Sequence, residues 1–471
     1  MSKFFAREAE LAFLQEKYES KGGQLIILYG RRRIGKTETI SHFCKDKNPV
    51  FFTCTQAEDS TQLKNFSQKL LSFDIPQKKY ITEFSNWEQA FLTIKDIPVL
   101  AGKKQILVID EFPYMVNKNP EIPSILQKLW DREFKDSNVM IILCGSAMSY
   151  IEKEILSEKN PLYGRSTGIY KMLPMTYFDS AKFFPNWHNR EKFLAHAILG
   201  GIPYYLSQFD DSKSLKQNIC SSILKRGAIL YSEPEFLLRQ ELREPGTYNT
   251  IIQAIASGKN AFNEIQQATL IEKGKLSVYL KILMELNIVS REFPVLSSEK
   301  EKQNAQRGLY NLKDSFFKFW YRFVFPNISS LEFGDWENIY DSVIEPQFNE
   351  FASTTYEKTC IEWLRFQNQN HKLPFIFTQI GRWWDKNTEI DIIASNDDKS
   401  KLICAECKFH NSVVNDTDLM KHLLKNLSSL KAKENAIIHY WYFSWSGFTE
   451  QAKEFALKNN IHLVIGIDKI I

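Results

Sequence analysis

The stretch QLIILYGRRRIGKT, residues 24–37, decides the fold of the N-terminal part of this chain. Residues 24–29 form a short apolar run, which predicts a strand buried on both faces, as in a parallel sheet. The loop after it fits G-x-x-x-x-G-K-[ST] at every fixed position and precedes a predicted helix, which is the context that this motif requires. We therefore predict a phosphate-binding loop at residues 30–37.

The chemistry expected of this loop is the binding of ATP with Mg²⁺. Glycines let backbone N–H groups approach phosphate oxygens, and the following helix adds the partial positive charge of its N-terminus. Lys36 is expected to reach the β- and γ-phosphates, and the Thr37 hydroxyl to bind Mg²⁺. The predicted nucleotide-binding residues are Gly30, Arg31, Arg32, Arg33, Ile34, Gly35, Lys36 and Thr37.

Two acidic residues follow a second apolar run, ILVI at 106–109. The pattern predicts a buried strand that ends in Asp110 and Glu111 at the ligand-binding edge of an open α/β sheet. Asp110 is expected to hold Mg²⁺ through water. Glu111 is expected to orient the attacking water, because phosphoryl transfer depends mainly on positioning and charge stabilisation.

Two further residues are candidates for catalysis. Ser146 follows the strand pattern IILCG, where a polar side chain senses a γ-phosphate or simply ends the strand. Arg165, in PLYGRSTG, is a candidate arginine finger, acting within its own chain or on a second copy.

The alternation of strand-like and helix-like segments predicts an α/β domain at 1–170. Four apolar runs alternate with helix-period segments, as in a doubly wound parallel sheet; they lie at 24–30, 48–54, 104–110 and 138–145. A helical lid is predicted at 171–234, where one helix pattern stops at the Gly200–Pro203 segment.

Several of these motifs resemble those of archaeal-type P-loop ATPases related to the AAA+ and STAND NTPases. The matching segments, spread over residues 4–206, are FFAREAEL, LYGRRRIGKTE, IDEFPYM, CGSAMSYI, PLYGRSTG and LGGIPYYL. The resemblance implies ATP hydrolysis and an element near the adenine, here Ala6-Arg7-Glu8. Ala6 departs from the family pattern, which usually has glycine at this position.

Residues 235–330 are predicted to form a winged helix-turn-helix, because three helix patterns precede two short strand patterns. Residues 231–330 carry eight Lys and five Arg against ten Glu and one Asp. The third helix pattern, 275–287, offers as cations only Lys275 and Lys281. Since strong duplex binders show a clearer basic face, reading of DNA and a protein-interaction or lid role stay open.

Carboxylates recur near the C-terminus. Glu389-Ile390-Asp391 begins a strand pattern, a turn follows, and a second strand pattern carries Glu406 and Lys408. Because strand side chains alternate between faces, a hairpin would bring Asp391, Glu406 and Lys408 to one face. Asp391 and Glu406 are then candidate ligands of Mg²⁺, and Lys408 a candidate activator of water.

This arrangement resembles the core of the PD-(D/E)xK nucleases, over about residues 345–443, and predicts a restriction-endonuclease-like α/β domain at 345–471. That superfamily often adds an acid on the preceding helix, and Glu357 matches it. Whether such a domain cleaves nucleic acid or only binds it stays open. Helices are predicted at 348–366 and 448–459, and strands at 374–380, 389–394, 402–408 and 437–443.

The composition excludes several classes of protein. The 471 residues are 44% hydrophobic and 25% charged, which is typical of globular proteins and not of disordered, collagenous or coiled-coil chains. The net charge of +4 neither requires nor excludes nucleic acid. Seven cysteines favour a reducing cytoplasm, and Cys404 and Cys407 lack the second ligand pair of a structural zinc site. With no apolar run of about 18 residues, a membrane span is not expected.

The sequence therefore predicts an ATPase with a nucleic-acid-associated C-terminal domain, with nuclease activity as one of its open roles. Two rivals stay open: a STAND-like switch in which ATP sets a conformation that partners bind, and an ATPase that remodels proteins. DNA and protein are both candidate partners, and the oligomeric state is open.

Overall fold

The computed structural model describes residues 4–99, 102–242, 245–302, 308–423, 425, 427, 430, 432–467 and 469–470. The chain divides into two compact units. The N-terminal unit comprises Met1–Met175 and Ile202–Tyr204, and the C-terminal unit comprises Thr176–Gly201 and Tyr205–Ile471. The finer division into lid, winged helix and nuclease-like domain stays a prediction.

The N-terminal unit is built on a five-stranded sheet, in the order β2-β3-β4-β1-β5, in which all neighbours are parallel. The strands are β1 Gln24–Tyr29, β2 Val50–Thr53, β3 Gln105–Asp110, β4 Val139–Gly145 and β5 Gly168–Lys171. The predicted α/β class and four predicted strands are confirmed. Strand β5 was not predicted, because this edge strand is short and its Ile169 is half exposed.

Every residue of β1, β3 and β4 is buried, which explains their continuous apolar sequences. Each fully buried Leu or Ile contributes about 1.5–3 kcal/mol relative to exposure. The helices of this unit are α1 Glu8–Glu19, α2 Lys36–Phe43, α3 Asp59–Leu71, α4 Trp87–Leu92, α5 Phe112–Lys118, α6 Ile122–Leu129 and α7 Met148–Tyr150. Shorter 3₁₀ and π turns lie at Pro76–Lys79, Thr93–Asp96, Trp130–Phe134 and Ile151–Ile155.

The first part of the C-terminal unit is mainly helical. Its helices, the first residues of α10 belonging to the N-terminal unit, are α8 Tyr177–Ser180, α9 Asn189–Leu199, α10 Pro203–Leu206, α11 Leu215–Ile219, α12 Glu233–Glu241, α13 Pro245–Ala256, α14 Phe262–Thr269, α15 Lys273–Glu285, α16 Glu299–Lys302, α17 Ser315–Phe319, α18 Ile328–Glu332 and α19 Trp336–Ile339. Helix α9 ends at Gly200, whose φ is +65°, at the stop that the sequence predicts. Further 3₁₀ and π turns lie at Ala181–Phe183, Cys220–Leu224, Trp320–Val324, Phe325–Asn327, Tyr340–Ile344 and Glu345–Gln347.

Helices α13, α14 and α15 precede an antiparallel pair formed by β6 Val289–Glu292 and β7 Leu309–Leu312. The three helices and two strands expected in this region are thus present. Their interpretation as a winged helix remains a prediction.

The C-terminal sheet is mixed and has the order β13-β12-β11-β10-β9-β8. Its strands are β8 Gln379–Trp384, β9 Glu389–Ser395, β10 Lys401–Lys408, β11 Ile437–Ser444, β12 Ile461–Ile465 and β13 Lys469–Ile470. The accompanying helices are α20 Phe348–Gln369, α21 Asp416–Leu423 and α22 Glu450–Lys458. The expected strand at 374–380 begins only at Gln379. Phe375 and Phe377 are buried, but they lie outside the strand.

Two further findings concern membrane-spanning helices and the cysteines. Within the described ranges, no helix is both long and apolar enough to cross a membrane. The seven cysteines all lie in these ranges as buried, free thiols.

Candidate nucleotide and carboxylate sites

The phosphate loop, residues 30–37, connects β1 to α2. Steric constraints explain why two of its positions are glycine. Gly35 has a φ of +89°, a left-handed conformation that favours glycine. A Cβ on Gly30 would lie 2.6 Å from the carbonyl oxygen of Met172, closer than real contacts allow. Both motif positions therefore need glycine to form this loop.

Lys36 occupies the centre of the loop. Its side chain is buried, and Nζ donates hydrogen bonds to the carbonyl oxygens of Gly30 at 2.9 Å and Arg31 at 3.1 Å. Burial lowers the pKa of Lys36. A phosphate oxygen would be a stronger, charge-assisted partner than these neutral carbonyls, so the loop fits a phosphate group.

Thr37, at the end of the phosphate loop, lies beside Asp110, the last residue of β3. The Thr37 hydroxyl donates to Oδ2 of Asp110 at 2.7 Å, and Asp110 is buried. A hydroxyl and a carboxylate at this distance supply the hard oxygen ligands that Mg²⁺ prefers. The residues present thus fit the predicted magnesium site.

Glu111 and Ser146 form a second polar pair. Glu111 has a φ of +52°, and its Oε2 accepts hydrogen bonds from Ser146, at 2.9 Å from Oγ and 3.3 Å from the backbone nitrogen. Strand β4, which ends beside Ser146, lies between β1 and β3 in the sheet. The structure therefore brings Ser146 to Glu111, and a left-handed glutamate is the kind of backbone strain that functional sites retain.

The segment before α1 anchors the loop. The buried guanidinium of Arg7 donates to the carbonyl oxygen of Ile34 at 2.8 Å and to that of Leu173 at 3.0 Å, and forms an ion pair with Glu10. Ala6 has a φ of +50°, which explains why glycine is usual there. Sequence reasoning did not find this tether; the proximity of Ala6, Arg7 and Glu8 to an adenine stays a prediction.

A second contact with the loop comes from the segment 202–204, which sequence reasoning did not connect to the phosphate site. The Arg33 guanidinium lies 4.0 Å from the ring centroid of Tyr204. Pro203 lies 3.7 Å from the position a Cβ on Gly35 would occupy. The sequence here indicated only a helix stop, which gave no signal of this contact.

Arg165 is not brought to the phosphate loop within one molecule. Its Nε and Nη2 bond the carboxylate of Asp131, at 3.0 Å and 2.8 Å. It lies three residues before the start of β5, and Thr167 donates from its backbone to the carbonyl oxygen of Leu25 near the start of β1. The starts of parallel strands lie at the edge opposite the phosphate loop, so Arg165 as an arginine finger stays a prediction for a second copy of the chain.

The two C-terminal carboxylates come directly after the last registered pair of β9 and β10. These strands are antiparallel and paired as far as Ile392 with Ala405, and Asp391 and Glu406 are the next residues along each strand. Oδ2 of Asp391 accepts the backbone N–H of Cys407 at 2.8 Å. Burial, and then the charge of Glu406, raise the pKa of Asp391 to about 6. The strand pairing on which the predicted site depends is present.

Glu406 is buried and lies beside two lysines and a histidine whose pKa burial lowers to about 4. Its Oε1 forms an ion pair with Lys425, and Nζ of Lys408 lies 3.5 Å from its Oε2. Lys425 also donates to the carbonyl oxygen of Glu389 at 2.7 Å, and Nδ1 of His422 lies 3.9 Å from Oε1 of Glu406. Sequence reasoning missed Lys425 and His422, since no motif marks them.

Glu357 projects from α20 towards the same strands. Its Oε2 lies 3.4 Å from Nε of Arg382, and burial, with the charge of Asp391, raises the pKa of Glu357 to about 7. Among the described residues, no three His, Cys, Asp or Glu side chains are grouped closely enough to hold a metal. Asp391 and Glu406 as metal ligands, and Glu357 as a third acid, therefore stay predictions.

Comparison with known proteins gives two family matches. Residues 4–209 match a family described as an ATPase domain predominantly from Archaea. Residues 320–442 match the family DUF234, described as archaeal and bacterial proteins of unknown function. The uncharacterized protein MJECL04 of Methanocaldococcus jannaschii is 33% identical over 419 residues, which cover 89% of this chain and 90% of that protein.

Two solved structures are also similar. The Walker-type ATPase PABY2304 of Pyrococcus abyssi is 21% identical, with a TM-score of 0.49, covering 68% of this chain and 96% of that chain. The ORC2 protein of Aeropyrum pernix is 14% identical, with a TM-score of 0.44, covering 71% of this chain and 96% of that chain.

Proposed function

This chain belongs to the same family as the Methanocaldococcus jannaschii protein MJECL04, with an archaeal-type ATPase domain followed by a DUF234 domain, and we propose that it is a Mg²⁺-dependent ATPase. We further propose that its C-terminal unit acts on or binds nucleic acid.

The observation that carries the ATPase proposal is the pairing of Thr37 with Asp110 at 2.7 Å beside the buried Lys36. Lys36 would bind the β- and γ-phosphates, Thr37 would bind Mg²⁺, and Asp110 would hold the metal through water. The metal supplies neutralisation of phosphate charge when bound. Glu111, oriented by the Ser146 hydroxyl, positions the water that attacks the γ-phosphate.

Phosphate release from ATP by the purified chain, in Mg²⁺ and in EDTA, tests this proposal. Thr37→Val keeps the shape of the side chain but removes the hydroxyl, so we expect hydrolysis to fall by at least tenfold at limiting Mg²⁺. Thr39→Val is a matched control, because the Thr39 hydroxyl bonds the Gly35 carbonyl within α2. Equal rates for wild type and Thr37→Val would contradict the proposed metal site.

For the C-terminal unit we propose a winged helix at 235–330 and a PD-(D/E)xK-like domain at 345–471. The charge of Glu406 acts on Asp391, Lys408 lies near Glu406, and the charge of Asp391 acts on Glu357, which together support the second assignment. In a nuclease, the two carboxylates would hold Mg²⁺ and Lys408 would activate water. Incubation with plasmid and Mg²⁺ or Mn²⁺ tests cleavage, which Asp391→Ala should abolish.

Nucleic-acid binding without cleavage, controlled by ATP, is the second candidate. Lys425 favours it, because this ammonium group already neutralises Glu406. In a STAND-like switch, ATP would change protease accessibility between about residues 205 and 345. Identical digestion patterns without nucleotide, with ADP and with ATP would count against the switch.

A further inference from the structure

A cleft of about 980 Å³ opens in the C-terminal unit between α20, β8 and the segment that follows β6. Neither Asp391 nor Glu406 lines it. Cationic side chains outnumber carboxylates among the described residues of its wall: Lys302, Arg365, Arg382 and Lys399 against Glu292 and Glu299. The cleft therefore carries an excess of positive charge.

The excess charge lies on two residues. Glu299 bonds Lys302 at 2.7 Å, and Glu292 lies 3.6 Å from Arg382, so both carboxylates have cationic partners. Arg365 and Lys399, by contrast, form no ion pair or side-chain hydrogen bond with any residue that the structure describes. Arg365 does act electrostatically on Glu362 of the same helix. A guanidinium and an ammonium group that form no ion pair within the described part of the chain still favour an anionic ligand.

The positive surface continues along α20. Lys358 precedes Arg365 by seven residues, which places both on one face of the helix. Lys358 is accessible at the surface, its surroundings lower its pKa by desolvation, and it interacts electrostatically with Glu292 and Arg382 of the cleft wall. Cations thus extend two helical turns beyond Arg365, as a ligand with regularly spaced charges requires.

The cleft also offers an aromatic surface. Phe293 lines it and is partly exposed, and the Arg291 guanidinium lies 4.7 Å from the centroid of its ring. Aromatic rings beside cations are the surfaces on which unpaired bases stack. The volume is at the upper end of ordinary ligand pockets, about 300–1,000 Å³, which suits a few splayed nucleotides rather than a duplex.

We propose that this cleft binds a segment of single-stranded nucleic acid, with Arg365 and Lys399 contacting phosphates and Phe293 stacking on a base. The inference rests on the proposed nucleic-acid role of the C-terminal unit. It places the contact in the cleft rather than on α15, whose cations include Lys275 and Lys281. Arg382 lines the cleft and pairs with Glu357, so the bound strand passes beside the candidate carboxylate site.

Fluorescence anisotropy of the full chain with labelled single-stranded DNA, single-stranded RNA and duplex DNA tests this, in EDTA so that cleavage plays no part. We expect both single strands to bind more tightly than the duplex. Whichever of single-stranded DNA and single-stranded RNA binds more tightly indicates which nucleic acid the cleft binds. The double variant Arg365→Ala with Lys399→Asn should lose at least about tenfold in affinity, with a salt slope lower by about 1.4. Asparagine suits position 399 because φ there is +58°.

The matched control is Lys275→Ala with Lys281→Ala, which removes the same charge from α15 and should change affinity by less than about twofold. Thermal unfolding checks the fold, and Lys399→Asn alone, expected to lose about threefold, replaces the double variant if the latter does not fold. Wild-type binding that the cleft variants leave unchanged would overturn this inference alone. A wild type that binds no nucleic acid would overturn the nucleic-acid proposal as well. Tighter binding of polyglutamate than of the single strands at equal charge and salt, lost in the cleft variants, would assign the cleft to acidic polypeptides instead and overturn the inference.

Discussion

The phosphate loop and the C-terminal carboxylate pair place acidic residues in opposite surroundings. At the loop, Asp110 and Glu111 accept hydrogen bonds from the hydroxyl groups of Thr37 and Ser146. At the second site, Asp391 is half-buried, and desolvation and the charge of Glu406 raise its pKa to about 6. The carboxylates of Asp110 and Glu111 are therefore held by neutral hydrogen-bond donors. The second site holds charge that its surroundings do not favour, so it requires a cation, and Lys425 at present supplies one.

The largest effect that this comparison predicts is at Lys36. Lys36→Ala removes the buried ammonium group at the β- and γ-phosphates, and we expect ATP affinity to fall by about 100-fold or more, since hydrogen bonds to charged groups contribute about 1.5–3 kcal/mol each. Isothermal titration calorimetry measures this. Binding of Mn²⁺ at Asp391 without nucleotide should stay unchanged, and a parallel loss there would show that the sites are not independent.

The second prediction concerns how the free energy of unfolding depends on pH at Asp391. Because the folded-state pKa of Asp391 lies above the ordinary value of 3.8, the folded chain binds this proton more tightly than the unfolded chain. That contribution to stability is present below about pH 4 and is lost as the pH rises through about 6. In EDTA, Asp391→Asn, which keeps an oxygen for the Cys407 N–H, should be more stable than wild type by about 1–3 kcal/mol at pH 8, and equal to it near pH 4.

Urea unfolding at both pH values measures this difference. Asp398→Asn is a control of opposite sign, because hydrogen bonds from Lys433 and Ser400 lower the pKa of Asp398. Its wild-type contribution is present at neutral pH and lost on acidification, so this variant should be the less stable one at pH 8. An Asp391→Asn difference that does not depend on pH would show that the carboxylate is not the cause.

Metal binding at the second site should depend on Lys425. Lys425→Ala leaves Glu406 buried without its closest cation, and we expect Mn²⁺ to bind about tenfold more tightly, because truncating one partner of a buried pair leaves an uncompensated charge. Lys433→Ala, at an exposed lysine paired with Asp398, is the control. Mn²⁺ binding that survives Asp391→Ala would exclude a metal site between Asp391 and Glu406.

The smallest effect is expected at Ser146. Ser146→Ala removes one hydrogen bond to Glu111, and should lower the rate of ATP hydrolysis by about fivefold to tenfold while leaving ATP affinity unchanged. Steady-state kinetics with a separate binding assay divides the two effects. A weakened ATP affinity at an unchanged rate constant would show that Ser146 senses the nucleotide directly.

The same contrast explains what could be predicted from the sequence. The residues of the phosphate loop are contiguous, and each buried parallel strand carries its own apolar run, so local pattern was sufficient for β1 to β4. The tether from Arg7 to Ile34 joins positions 27 residues apart. The ion pair of Lys425 with Glu406 depends on the path of the chain after α21. Neither contact leaves a local pattern, and the edge strand β5 lacks the burial that produces one.

The position of Arg165 shows the same limit. Its motif, PLYGRSTG, carries no information on which end of a parallel sheet the arginine occupies. Pairing of β5 with β1 decides that, and it places Arg165 at the edge opposite the loop. By contrast, a short turn joins β9 and β10 and sets the register that pairs Ile392 with Ala405. The shared face of Asp391 and Glu406, which follows from alternation along these strands, stays a prediction.

The most direct test of the account is ATP binding and phosphate release by Glu111→Gln, measured on one preparation. The amide retains the size of the side chain and an oxygen that can accept from Ser146, but it is a poor partner for the attacking water. We expect ATP affinity within about threefold of wild type and hydrolysis slower by about 100-fold, the usual scale for a positioned base. Hydrolysis at the wild-type rate would contradict the role of Glu111 in positioning the attacking water.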